Sequence, residues 1–205
     1  MALHFHSGQD QEKKKKTSGV AAGLEYLHDI VYVLALILLA FTFCVRVVIV
    51  SGSSMFSTLV DGDYLLLINR PLCGEFERGD IVVASMARFK NGEAIVKRVI
   101  ATEGQTVDID FREGVVYVDG EALEEDYIFT ATHLSEGTEF PLVVEEGCVF
   151  LMGDNRMDSR DSRAPEIGQV DERELLGRAV FLMLPGTGRG EYTVPRDYDR
   201  IGGLD

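Results

Sequence analysis

Three short stretches of the chain carry side chains able to act together on a carbonyl group. The first is Ser51-Gly52-Ser53-Ser54-Met55-Phe56-Ser57-Thr58-Leu59. A serine in a glycine-containing turn presents its hydroxyl and its backbone N–H side by side. The hydroxyl becomes a nucleophile once a base takes its proton, and the N–H can hold the oxyanion that develops. By composition alone the same stretch is a polar linker. The second candidate is a lysine. Beyond residue 50 there are only Lys90 and Lys97. Lys90 lies beside the Asn91-Gly92 turn and reads as a solvated charge. Lys97 falls in a strand pattern where its same-face neighbours are Ile95 and Val99. Loss of water around the amine favours its neutral form, which can accept a proton from a hydroxyl. A lysine reaching out to the strand edge is the plainer alternative. The third stretch is residues 153–163, a loop dense in donors, acceptors and opposite charges. There the Ser159 hydroxyl could orient an amine, and Asp161 with Arg163 could brace the loop. Read alone, it is equally a solvated turn.

Counting narrows the other chemistries. Of four histidines, His4, His6 and His28 precede or enter a long apolar segment, so a Ser-His-Asp triad beyond it would have to use His133. That residue sits in a weakly patterned loop, and an exposed histidine is the simpler reading. Metal sites needing two histidines are excluded from the same region. Cys44, Cys73 and Cys148 lack the paired spacing of a zinc site and make no disulfide framework, while a Cys73–Cys148 bridge is left open.

These groups need elements to hold them. Short runs rich in Val, Ile, Leu and Phe at 64–68, 81–85, 94–100, 106–111, 115–118, 148–152 and 178–184 are separated by turn residues, which predicts a mainly β, antiparallel protein. Residues 115–118, Asp119-Gly120 and the residues after them predict a tight hairpin. The acidic stretch 121–146 reads as an inserted, loop-rich lobe, and 186–205 as a polar C-terminal tail with little order. Ahead of the strands, residues 30–50 are apolar except for Thr42 and Arg46, long enough as a helix to span the roughly 30 Å of a bilayer core. We read 29–50 as one transmembrane helix, with Arg46 snorkelling near its far end. A cleavable secretory signal fits less well, because the run is long and no small-x-small site follows it. Lys13 to Lys16 place residues 1–28 in the cytoplasm and the 51–185 domain outside.

The net charge is −14. Residues 1–50 hold four acids and five bases, which leaves about −15 on the remainder. Such a surface argues against nucleic acid as a partner.

Taken in order, the stretches resemble bacterial type I signal peptidases, Ser/Lys proteases anchored by their N-terminus. The family's S-M-x-P-T-L motif is met at Ser54-Met55-Phe56-Ser57-Thr58-Leu59 except for the proline, K-R-V at Lys97-Arg98-Val99, and G-D-N-x-x-x-S-x-D-S-R without a miss from Gly153 to Arg163. G-D-I-V-V recurs at residues 79–83. The resemblance implies an antiparallel-sheet catalytic core with a small inserted lobe behind one transmembrane helix. It makes Ser54 the nucleophile, Lys97 the general base, Ser159 the hydroxyl that positions the amine, and Asp161 with Arg163 the brace of the loop. It implies a lipid bilayer and exported preproteins as partners, with small residues before the cut, and no metal or cofactor. Met55 is a candidate pocket wall or a core residue. Three departures stand out. Ser57 replaces the motif proline, Ala101 to Gln105 replace a G-x-P-G-D continuation, and Gly52 stands where some members carry an oxyanion-binding serine.

Two other readings compete. A self-cleaving Ser/Lys repressor protease shares the dyad but lacks an anchor. A catalytically weak or inactive relative, acting as a membrane-tethered binding or assembly module for secreted proteins, would be expected to have lost Ser54, Lys97 or Ser159.

Overall fold

A computed structural model describes residues 8–204. His4 and His6 lie outside the described residues. The chain divides into two units, residues 1–43 and 44–205.

In the first unit a single helix, α1 (Gly8–Cys44), contains a 22-residue stretch, Gly23–Cys44, of mean hydropathy 2.2. At 1.5 Å per residue it is about 33 Å long, enough to cross a bilayer. Its large apolar side chains, Leu34, Leu36 and Phe41 among them, are exposed.

The expected helix over 29–50 is corrected at its end. Val45–Ile49 is a strand, β1, paired antiparallel with β2 (Tyr64–Asn69) from Val45 opposite Ile68 to Ile49 opposite Tyr64. Hydropathy alone does not separate a lipid-facing helix from a strand. The run of Val45, Val47, Val48 and Ile49 is β-branched, which favours an extended backbone once a partner strand supplies hydrogen bonds. Arg46 therefore lies on β1 opposite Leu67, not on a helix near the interface.

The second unit adds β3 (Ile81–Ser85), β4 (Ala94–Thr102), β5 (Thr106–Asp110), β6 (Val115–Val118), β7 (Glu121–Ala122), β8 (Leu142–Val143), β9 (Cys148–Met152), β10 (Val170–Asp171), β11 (Leu175–Leu184) and β12 (Gly202–Gly203). The main sheet runs β1-β2-β11-β3-β4-β9-β10, with β12 added to β11. Every strand pair is antiparallel. Alternation along β3 sends Ile81 and Val83 to one buried cluster with Met55, Leu59 and Leu65, and Val82 and Ala84 to another with Val99 and Leu151.

A second sheet, β7-β6-β5-β8, sits in the connection between β4 and β9. The insertion is therefore larger and more regular than the 121–146 lobe, because β5 and β6 belong to it. Val107, Ile109, Val116 and Val118 pack it onto Ile100, Phe150 and Met152 of the main sheet. The hairpin at Asp119-Gly120 forms as expected, with φ of 55° and 83° at its two central residues.

The polar tail is also corrected. Asp63, fully buried, accepts from Gly186 N at 2.6 Å and pairs with Arg200 at 2.7 Å, and β12 hydrogen-bonds to β11 at Phe181 and Leu182. Composition conceals these anchors because Asp63 is separated from its partners by more than 120 residues.

Candidate active site

Ser54 lies in the turns that follow β1. The segment is pinned by Met55 and Leu59, both buried in the core, so Met55 takes the packing role of its two candidates. Lys97 lies on β4 opposite Val82 and is 3% exposed. Its amine approaches the serine, Lys97 Nζ to Ser54 Oγ being 2.6 Å, and also donates to Val96 O at 2.9 Å. A separation of 2.6 Å is within reach of direct proton transfer between hydroxyl and amine.

The third stretch follows β9. Ser159 donates its hydroxyl to Asp161 Oδ2 at 2.7 Å. Arg163 grips the same carboxylate with Nε on Oδ1 and Nη2 on Oδ2, both at 2.8 Å, and Gly153 N adds a bond to Oδ2 at 2.9 Å. Burial on its own would raise the Asp161 pKa. The Arg163 hydrogen bond and charge, Gly153 N–H and Ser159 hydroxyl outweigh it and hold the carboxyl below its ordinary range. At Gly153 any Cβ would collide with Ser54 O and the Ser159 side chain, which requires glycine there and brings the serine turn and the loop into contact. Asn155 reinforces that contact, with its N–H donating to Ser54 O at 3.0 Å.

A further junction was present in the motif letters without a role attached to it. Buried Asp154 accepts from Arg98 Nε at 2.9 Å and Nη2 at 2.7 Å, and from Thr58 Oγ1 at 2.6 Å. One carboxylate thus joins the residue after Lys97 to the turn after Ser54. Arg98 also donates to Gly79 O at 2.9 Å and stacks 4.0 Å from the Tyr127 ring centroid. From the insertion, Glu125 and Thr132 hold buried Arg156, with Thr132 Oγ1 at 2.6 Å. A carboxylate that satisfies two buried partners is legible only once the partners are adjacent. Ser54, Lys97, Ser159, Asp161 and Arg163 are therefore brought into one neighbourhood. His133 is not part of it, being exposed with Nδ1 3.1 Å from Phe111 O. Cys73 and Cys148 are both free thiols.

A cleft of about 200 Å³ opens beside the serine and lysine, lined by Gly52, Phe89, Ile95, Asp158 and Arg160 among others. Along it β4 pairs with β3 through residues 94–98, while β9 joins only from Arg98 onward. Among the described residues no second strand pairs with β4 over Ala94 to Val96, so that edge faces the cleft.

The signal peptidase, peptidase S26 family model matches residues 23–184. Signal peptidase I T of Bacillus subtilis strain 168 is 33% identical over 198 residues, covering 90% of this chain and 96% of its own. Signal peptidase I of Bacillus amyloliquefaciens is 34% identical over 176 residues, covering 78% and 85%. A solved signal peptidase I from Enterococcus faecalis V583 shares 30% identity over 52% of this chain and 97% of that one, with a TM-score of 0.42. With the family matched over most of its length and relatives a third identical across nearly all of theirs, the chain belongs to the peptidase S26 family, among the bacterial type I signal peptidases.

Proposed function

We propose that this peptidase is membrane-anchored and removes signal peptides from exported preproteins with a Ser54–Lys97 dyad. The observation that carries the reading is the 2.6 Å approach of a buried lysine amine to the hydroxyl of Ser54. With Lys97 neutral, Ser54 Oγ attacks the carbonyl carbon before the cut and its proton passes to Lys97 Nζ. The oxyanion is held in part by the Ser54 N–H. Collapse breaks the C–N bond, and Lys97 returns the proton to the leaving amine of the mature protein. Water then attacks the acyl ester, again giving a proton to Lys97, which releases the signal peptide carboxylate and restores Ser54. Ser159 supports the dyad because its hydrogen is committed to Asp161, which leaves its oxygen able to act only as an acceptor toward an amine. The Gly23–Cys44 stretch supports anchoring, and Lys13 to Lys16 support a cytoplasmic N-terminus with the catalytic unit outside.

The test uses purified full-length protein in detergent on a preprotein with an Ala-x-Ala site, from neutral to alkaline pH. Ser54→Ala and Lys97→Ala are expected to lose cleavage while remaining folded. Ser159→Ala is expected to retain a fraction, within the roughly 10²–10⁴-fold that acid–base assistance contributes. Efficient cutting by Lys97→Ala refutes the dyad, and a folded wild type inert on several preproteins favours the binding-module reading.

A further inference from the structure

A second cavity, of about 520 Å³, lies against the other side of the Gly52–Ser53 segment. Its floor comes from the serine turn, Phe56 and Val60, and its outer wall from residues 189–192, downstream of the family match at 23–184. That wall is built and held in place. Gly186 and Arg200 tie the two ends of the tail to Asp63, Gly188 N donates to Asp61 O at 3.0 Å, and Val194 N closes the loop on Thr187 O at 2.8 Å. The Tyr192 ring packs 5.0 Å from that of Phe56, which also meets Phe129 edge-on at 4.9 Å. Beside the cavity, Asp158 accepts from Ser53 Oγ at 2.5 Å, and Tyr192 lines the same cavity as Ser53. The tail thus shares this cavity with the residue beside the nucleophile.

We propose that the C-terminal segment completes a subsite for the mature side of the preprotein, in which Phe56 and Tyr192 receive an apolar side chain from one of the first three residues after the cut. The inference rests on the peptidase reading above. The open β4 edge takes the chain before the cut, so the residues after it leave Ser54 on the opposite side, past Ser53, where this cavity begins. An extended chain advances about 3.3 Å per residue with side chains alternating, so a side chain within a few residues of the cut can enter it. Two aromatic faces and buried Val60 supply the apolar surface. At the rim Asp61 and Arg189 pair at 3.6 Å, and Glu191 leaves one further negative charge, which disfavours an acidic side chain.

The test is a matched set of preprotein peptides, identical through the cut, with Ala, Leu, Phe or Asp at each of the first three mature positions, cleaved by the full-length protein in detergent. At one position wild type is expected to favour Leu or Phe over Asp by at least about tenfold in kcat/KM, the discrimination of an apolar pocket. Tyr192→Ala should collapse that ratio to within about twofold, Tyr192→Phe should keep it, and Tyr192→Lys should turn it toward Asp. Tyr198→Ala, on the same tail but outside the cavity, should leave it unchanged. The proposal is overturned if wild type shows no preference at any of the three positions. It is also overturned if the Tyr192 variants lower all substrates in proportion, as a purely structural role would. A wild type that cleaves none of the peptides refutes the peptidase reading itself and this inference with it.

Discussion

Replacing Asp154 with asparagine takes one negative charge from the junction between the serine turn and the lysine strand while keeping the size of the side chain. Arg98 is then left with a guanidinium whose side chain is only 5% exposed. Gly79 O at 2.9 Å and the Tyr127 ring at 4.0 Å remain as partners, and the asparagine oxygen can still accept one hydrogen bond. Breaking a buried pair from one side costs about 3–5 kcal/mol. The surviving partners place this variant at the lower end, about 3 kcal/mol, roughly a hundredfold in the folding equilibrium. Urea unfolding of the full-length protein in detergent, followed by far-UV circular dichroism, should show a midpoint lowered by about 1–2 M with an unchanged slope. The double variant Arg98→Met, Asp154→Asn should recover part of the loss, because no unpaired charge remains buried. Asp171→Asn, at the surface pair with Arg173, should leave the midpoint where it is. An Asp154→Asn protein within about 1 kcal/mol of wild type, or a double variant no better than the single, would refute the assignment of Asp154 as the tie between the two segments.

Two further outcomes follow from the same geometry. Gly153→Ala places a methyl group against Ser54 O and Ser159, so it should cost about 1–3 kcal/mol and lower kcat through displacement of the serine, whereas wild-type turnover would contradict the close packing of the loop on the turn. Asp161 has a folded pKa held below its ordinary value, so its stabilising contribution is fully present above about pH 4 and is lost as pH falls through the lower folded value. Thermal unfolding from pH 6 to pH 3 should therefore fall less steeply for Asp161→Asn than for wild type, and parallel curves would count against the Arg163 clamp.

The sheet and the Ser54–Lys97 contact were legible in the sequence for different reasons. Strand alternation at 81–85 and 148–152 announces buried faces, whereas scarcity only narrowed the lysines beyond residue 50 to Lys90 and Lys97, and the motif resemblance paired Lys97 with Ser54. The end of α1 was hidden because Val45 to Ile49 are as apolar as the helix before them, and only pairing with β2 separates the two. The extent of the insertion was hidden in a similar way, since β5 and β6 alternate like core strands while hydrogen-bonding to β7 and β8. The Thr58–Asp154–Arg98 junction and the anchoring of the tail on Asp63 depend on contacts between residues far apart in the chain. No local pattern encodes such contacts.

That separation in sequence also has a consequence in time. Ser53 meets Asp158 across 105 residues, Thr58 meets Asp154 across 96, and Arg200 reaches back 137 to Asp63. A chain made from its N-terminus presents the serine first, the lysine next, and the loop that braces both much later. Closing such long loops is the slow, entropically costly part of folding. The nascent chain therefore carries Ser54 for most of its synthesis without the loop that later meets it, and the site is assembled only when the last strands have docked.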